Sequence, residues 1–126
     1  MLFRSSDWAN TLAMIQAFPG LEIFSGTEVH LLQNISAGGA GCISATANFN
    51  ARGIRAVIDA AETGQAEDPE KTMIAIRKAF EGCPVIPALK AQIAKRYGDP
   101  EWVHVRPPLT PMDSSAAHEL SAALKN

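Results

Sequence analysis

Residues 21–48 (LEIFSGTEVHLLQNISAGGAGCISATAN) restrict the fold more than any other stretch of the chain. Residues 21–25 are apolar and β-prone, Gly26 ends the run, and Thr27 offers a cap to a helix over residues 28–36. The turn Gly38-Gly39-Ala40-Gly41 closes that helix, and a second small apolar run, residues 42–45, comes after it. Two short apolar runs joined by one helix predict a βαβ unit with parallel strands. Such strands are normally covered on both faces, so their apolar runs are continuous rather than alternating. Everything after Asn48 reads as helix or connector, so a site built on a sheet has to be built here.

The flanks are helical. Ser5-Ser6-Asp7 precedes a helix over residues 8–17, with Trp8, Leu12 and Ile15 on one face, and Phe18-Pro19-Gly20 stops it. Asn50 caps the next helix, whose stripe is Ile54, Val57, Ile58 and Ala61, and Gly64 ends it. Asp68-Pro69-Glu70 starts another, with Met73, Ile76 and Phe80 inside and Gly82 at its end. Pro84 and Pro87 open a helix whose inner face is Ile86, Leu89, Ile93 and Tyr97, closed by Gly98. Residues 99–112 carry four prolines and are expected to run extended over the surface. Asp113 or Ser114 caps a last helix with Ala117, Leu120 and Leu124 inside.

Composition removes several classes of function. The chain has 126 residues, enough for one core, and is 47% hydrophobic and 19% charged, a globular balance. Its net charge of -2, with acids and bases interspersed, argues against nucleic acid as a partner. No apolar run is long enough to cross a membrane, and Met1-Leu2-Phe3-Arg4 is no signal peptide, so a cytoplasmic protein is expected. Cys42 and Cys83 are far apart and read as reduced thiols. His30, His104 and His118 have no ligand spacing, so no metal and no cofactor are expected.

Two strands against six helices is an imbalance. A lone pair of short parallel strands is not a stable sheet, and its outer edges leave N–H and C=O groups unpaired. The chain reads as part of something larger. The order F-P-G-L-E-I-F-S-G-T-E, A-G-G-A-G-C-I-S-A-T-A-N, I-P-A-L-K-A and R-P-P-L-T-P resembles the dihydrodipicolinate synthase / N-acetylneuraminate lyase family, from about Ser5 to the last helix.

That resemblance implies an α/β fold: the C-terminal portion of a (β/α)8 TIM barrel, contributing its last two strands, plus the family's three extra C-terminal helices. Residues 1–64 would be the partial barrel (helix, strand, helix, strand, helix) and residues 65–126 the helical extension. Family members are class I aldolases and lyases, in which a lysine forms a Schiff base with pyruvate or another 2-oxo acid and the imine acts as electron sink. The lysine belongs in a segment resembling K-D-S-S-G-D-W. Anchoring on Asp7-Trp8 puts it at Leu2, or at Phe3 if one residue is missing, and neither forms an imine. The chain alone is therefore expected to be inactive, with no catalytic residue. A 2-oxo acid such as pyruvate is the expected ligand if the barrel is completed, by a second copy or by a complementing chain. Carried over as substrate-binding positions at the strand ends are Gly26, Thr27, Glu28, Ile43 and Ser44.

Each has a plainer role to be weighed. An acid at position 28 suits the first turn of a helix, and capping is the role expected of it. The glycine-rich turn precedes a strand rather than opening a helix and lacks the Gly-Lys-Ser/Thr ending, so a tight turn is expected, not a phosphate cradle. Lys90 lies beside the buried stripe of its helix, which favours a structural or surface role over a substitute imine lysine. The alternative to an enzyme piece is a non-catalytic module that pairs its strands with another chain.

Overall fold

Three short parallel strands and six α-helices make up the described residues. The structure, a computed structural model, describes residues 3–5 and 7–124. Phe3–Ser5 is a short strand, β1. Asp7 accepts from the Ala9 N–H at 3.0 Å and starts α1, Trp8–Ala17. Thr11, in the middle of the Trp8/Leu12/Ile15 stripe, is the fully buried residue of that helix, and its hydroxyl donates to the Asp7 carbonyl at 2.9 Å. After the turn at Phe18 come β2, Ile23–Ser25, a 3-10 turn, Glu28–His30, and α2, Leu31–Ser36. The Thr27 hydroxyl caps the 3-10 turn by accepting from Val29 N–H at 3.3 Å. Leu21 and Glu22 are exposed and stand outside the strand.

The count of two strands is corrected to three, because β1 pairs in parallel with β2, Phe3 opposite Ile23 and Ser5 opposite Ser25. Three residues are too few to display a period, and only pairing with β2 makes them a strand. On the other side of β2 lies β3, which is Gly41–Cys42 rather than residues 42–45. Its ladder runs out because β2 ends at Ser25: the last rung is Ile43 N–H to the Ser25 carbonyl, 2.9 Å. Ile43, Ser44 and Ala45 therefore form the loop that leads into the next helix.

That helix, α3, is Ala47–Ala61, and it carries a break at Asn50 (φ -120, ψ 36). Asn50 thus divides a short first turn from the regular body, instead of starting the helix outright. Gly64 takes the left-handed conformation (φ +71) after it. The next helix, α4, is Glu67–Ala79, starting one residue before Asp68. Leu31, Ile54, Val57 and Met73 are the buried core here, with Ile35, Cys42, Ala47, Ile58 and Ile74 packed on them. Burying each such large side chain stabilises by about 1.5–3 kcal/mol.

The chain divides into two compact units, Met1–Ile74 and Ala75–Asn126. The division falls inside α4, whose Met73 and Ile74 belong to the core just described. In the second unit, α5 is Val85–Tyr97, closed by Gly98 (φ +66), and α6 is Ser114–Ala123, capped by Asp113. The Gln92 amide donates to the Ala117 carbonyl at 3.0 Å and accepts from the Ser121 hydroxyl at 2.9 Å, fastening α6 to α5. Residues 99–112 are not extended throughout: Pro100–Val103 is a 3-10 turn capped by Asp99 and packed on α5. Two residues expected inside are exposed, Ile86 at 53% and Tyr97 at 71%. The stripe they share with Leu89 and Ile93 is covered at its middle but not at its ends.

Candidate functional site at the strand ends

The C-terminal ends of β2 and β3 lie side by side because the two strands are parallel and adjacent. The loops leaving the two strands therefore meet in one place. After β2 the chain turns through Gly26 and Thr27, and Glu28 points inward, 1% exposed. After β3 come Ile43, Ser44, Ala45 and Thr46, the last 1% exposed. The Ser44 hydroxyl donates to Glu28 Oε2 and the Thr46 hydroxyl to Glu28 Oε1, while the two hydroxyl oxygens stand 2.9 Å apart. One buried carboxylate thus ties the loop after β2 to the loop after β3.

Glu28 is not an exposed first-turn acid. Capping falls to Thr27, and the carboxylate is turned into the protein, where both its oxygens find hydroxyl donors. Burying a charged or polar group without such partners costs several kcal/mol, roughly 2–7 for a neutral one. Of the other positions carried over, Ser44 joins Glu28 directly, while Gly26 and Ile43 are half-buried neighbours in the same two loops. Cys42 lies just below. Burial, and secondarily the Glu28 carboxylate, push its thiol up from 9.0 to about 11, so it is a packing group and no nucleophile.

Beneath the loops, a second set of polar groups holds the strands in place. The Ser25 hydroxyl donates to the Thr27 carbonyl at 2.9 Å. Asn34, fully buried on α2, donates to the Ile23 carbonyl at 3.3 Å and accepts from the Gly41 N–H at 2.9 Å. Gly38 supplies the left-handed residue (φ +89) of the turn, and a Cβ on Gly39 would run into the Asn34 amide. The glycine-rich segment is a helix-to-strand turn shaped around that amide.

Asn34 and Thr46 are the residues that sequence reading passed over. Each had a signal. Asn34 falls three residues after Leu31 and one before Ile35, a polar residue on an otherwise apolar helix face. Thr46 comes after Ser44 with one residue between, two hydroxyls aligned past a strand end. Elsewhere in the same unit, the Trp8 and His30 rings meet at 5.9 Å and His30 Nδ1 is 3.2 Å from Gln33 Oε1. Among the described residues no three histidines, cysteines or acids gather as a metal site, and no helix is long and apolar enough to cross a membrane.

The sequence matches the Dihydrodipicolinate synthetase family over residues 5–126. The chain belongs to that family. It is 30% identical over 120 residues to an uncharacterized DapA-like lyase of Chloroflexus aurantiacus, covering 94% of this chain and 40% of that protein. Among solved structures, YagE, a prophage protein of the dihydrodipicolinic acid synthase family from E. coli K12 in complex with pyruvate, superposes with a TM-score of 0.82. It is 26% identical, and the match covers 97% of this chain and 43% of that one. Dihydrodipicolinate synthase from Agrobacterium tumefaciens superposes at 0.79 with 25% identity, covering 98% and 41%. This family member thus spans about two fifths of the length of the relatives it matches. Its α/β fold is that of the family. The oxygens of the Glu28, Ser44 and Thr46 cluster are engaged with one another. The cluster contains no amine, so it forms no imine by itself.

Proposed function

We propose that this chain forms the closing part of a (β/α)8 barrel in a Schiff-base-forming 2-oxo-acid lyase or synthase, and that it is silent on its own. In this reading β1, β2 and β3 take the places of the sixth, seventh and eighth strands, and α4, α5 and α6 are the extra C-terminal helices. Gly26, Thr27, Ile43 and Ser44 line one wall of the pocket, and Glu28, with Thr46 added, stands behind them and holds the two loops of that wall together. The observation that carries the reading is the convergence of Glu28 with Ser44 and Thr46 at the C-terminal ends of parallel strands, where barrels of this kind build their sites. Pyruvate is the ligand class, supported by its presence in the complex with YagE. The reactive lysine is missing at Leu2 and Phe3, the positions the family pattern assigns to it.

Borohydride trapping with radiolabelled pyruvate tests the inertness. The chain alone remains unlabelled while an intact family member, treated in parallel, takes up label on one lysine. Stoichiometric label on this chain refutes the proposal.

The open edges of the sheet favour completion by further strands. Among the described residues β1 and β3 each pair only with β2, and unpaired strand edges are templates for pairing. Further strands of a longer polypeptide, a second copy or a complementing chain would fill them. Light scattering on the purified chain is expected to show self-association, and a clean monomer at tens of micromolar counts against edge pairing.

A further inference from the structure

The second unit contains a groove that the strand-end site does not use. Its volume is about 500 Å³, within the roughly 300–1,000 Å³ range of small-molecule sites. One side is α5, through Ile86 and Lys90; the other is the segment from His104 to Leu109. Ile86 and Lys90 are four residues apart and so lie one above the other on the helix. The opposite wall is stiffened by Pro107 and Pro108, whose rings fix φ, and by the turn in which Leu109 N–H donates to the Arg106 carbonyl at 3.0 Å. The 3-10 turn Pro100–Val103, packed on α5, sets the start of that wall against the helix.

The lining is apolar with a cationic rim. Ile86, Val105, Pro107, Pro108 and Leu109 supply the floor and walls, and Ile86 is 53% and Leu109 37% exposed. Three basic side chains border them. His104 is engaged: its Nδ1 lies 3.5 Å from Glu101 Oε2 and 3.1 Å from the Glu101 carbonyl. Lys90 and Arg106 make no ion pair with any carboxylate among the described residues. Two unmatched cations over an apolar trough complement one kind of molecule, an oxyanion carried on an apolar body.

From this we infer that the groove is a binding site for a small carboxylate with an aromatic or branched apolar body. The carboxylate sits at Arg106 and Lys90, the guanidinium offering its paired N–H groups and the ammonium a point charge. The apolar body lies against Ile86, Leu109 and the two prolines. This site is separate from the strand-end cluster, which is built on the other compact unit.

The test is a titration of the full chain with 4-phenylbutyrate, monitored by NMR, against two controls: 4-phenylbutyramide and inorganic phosphate. The acid is expected to shift the amide resonances of Ile86, Ala88, Leu89, Lys90, His104, Val105, Arg106 and Leu109, with both controls binding roughly tenfold more weakly or worse. Arg106→Gln and Lys90→Met, both at the surface of the groove, are each expected to weaken the acid by roughly tenfold with the far-UV spectrum unchanged. Equal binding of the amide, equal binding of phosphate, shifts confined to other residues, or undiminished affinity in both variants would each overturn the assignment. Because the amide and phosphate comparisons use the unaltered chain, they decide the matter even if a variant folds poorly.

Discussion

Among the described residues each compact unit buries one side-chain amide, Asn34 in the first and Gln92 in the second, and each amide is used at both its ends. Asn34 bonds to backbone groups of two different strands, Ile23 and Gly41. Gln92 bonds to a helix carbonyl, Ala117, and to a hydroxyl, Ser121, that also has the Ala117 carbonyl as an acceptor at 2.8 Å. The first amide gives the Gly41 N–H its acceptor and adds a second donor to the Ile23 carbonyl, which the Ala40 N–H already reaches at 2.9 Å. The second joins two helices whose backbones are already satisfied along their length. The lesson is that the polar groups of the first unit position the strand ends, and through them the Glu28 cluster, whereas those of the second set only how two helices lie together.

Truncating the two amides is the sharpest way to break this comparison. Asn34→Ala strands the buried N–H of Gly41, while the Ile23 carbonyl keeps its bond from the Ala40 N–H at 2.9 Å, and is expected to cost about 2 kcal/mol in urea unfolding. Gln92→Ala leaves partners that retain each other and is expected to cost about 1 kcal/mol. If the two losses are equal, or Gln92 is the costlier, the distinction between the units fails. A smaller effect concerns Cys42 of the first unit, whose thiol is pushed up to about 11 from 9.0. Above pH 9 the unfolded chain ionises this thiol while the folded chain does not. Stability is therefore whole below pH 9 and falls as the pH rises toward 11. Unfolding curves collected across that interval should show a shallower decline in Cys42→Ala; an unchanged decline would mean other groups govern it.

Much of the architecture was legible because it rests on local chemistry. Asp7, Thr27 and Asp113 each cap where a short oxygen-bearing side chain precedes an apolar period, and Gly64 and Gly98 stop helices in the left-handed region. What was not legible depends on neighbours. Phe3–Ser5 is a strand only because β2 lies beside it. Residues 42–45 look like one strand, yet pairing ends where β2 ends. Periodicity placed Ile86 and Tyr97 on the phase of Leu89 and Ile93, but phase does not say how far along a helix its cover extends. At the strand ends, the family pattern singled out Glu28 and Ser44 without saying that they touch. Sequence spacings of 16 and 18 residues separate Glu28 from its two hydroxyl donors, and no helical or strand repeat links such distances.

Glu28 also makes a change in one loop felt in the other. A shorter acid at position 28 would fall short of the hydroxyls, and an amide would turn one of its two accepting oxygens into a donating N–H, so a replacement there is expected to fit best when positions 44 and 46 change with it. Any redesign of what this wall accepts has to treat those three sites as a single unit of variation.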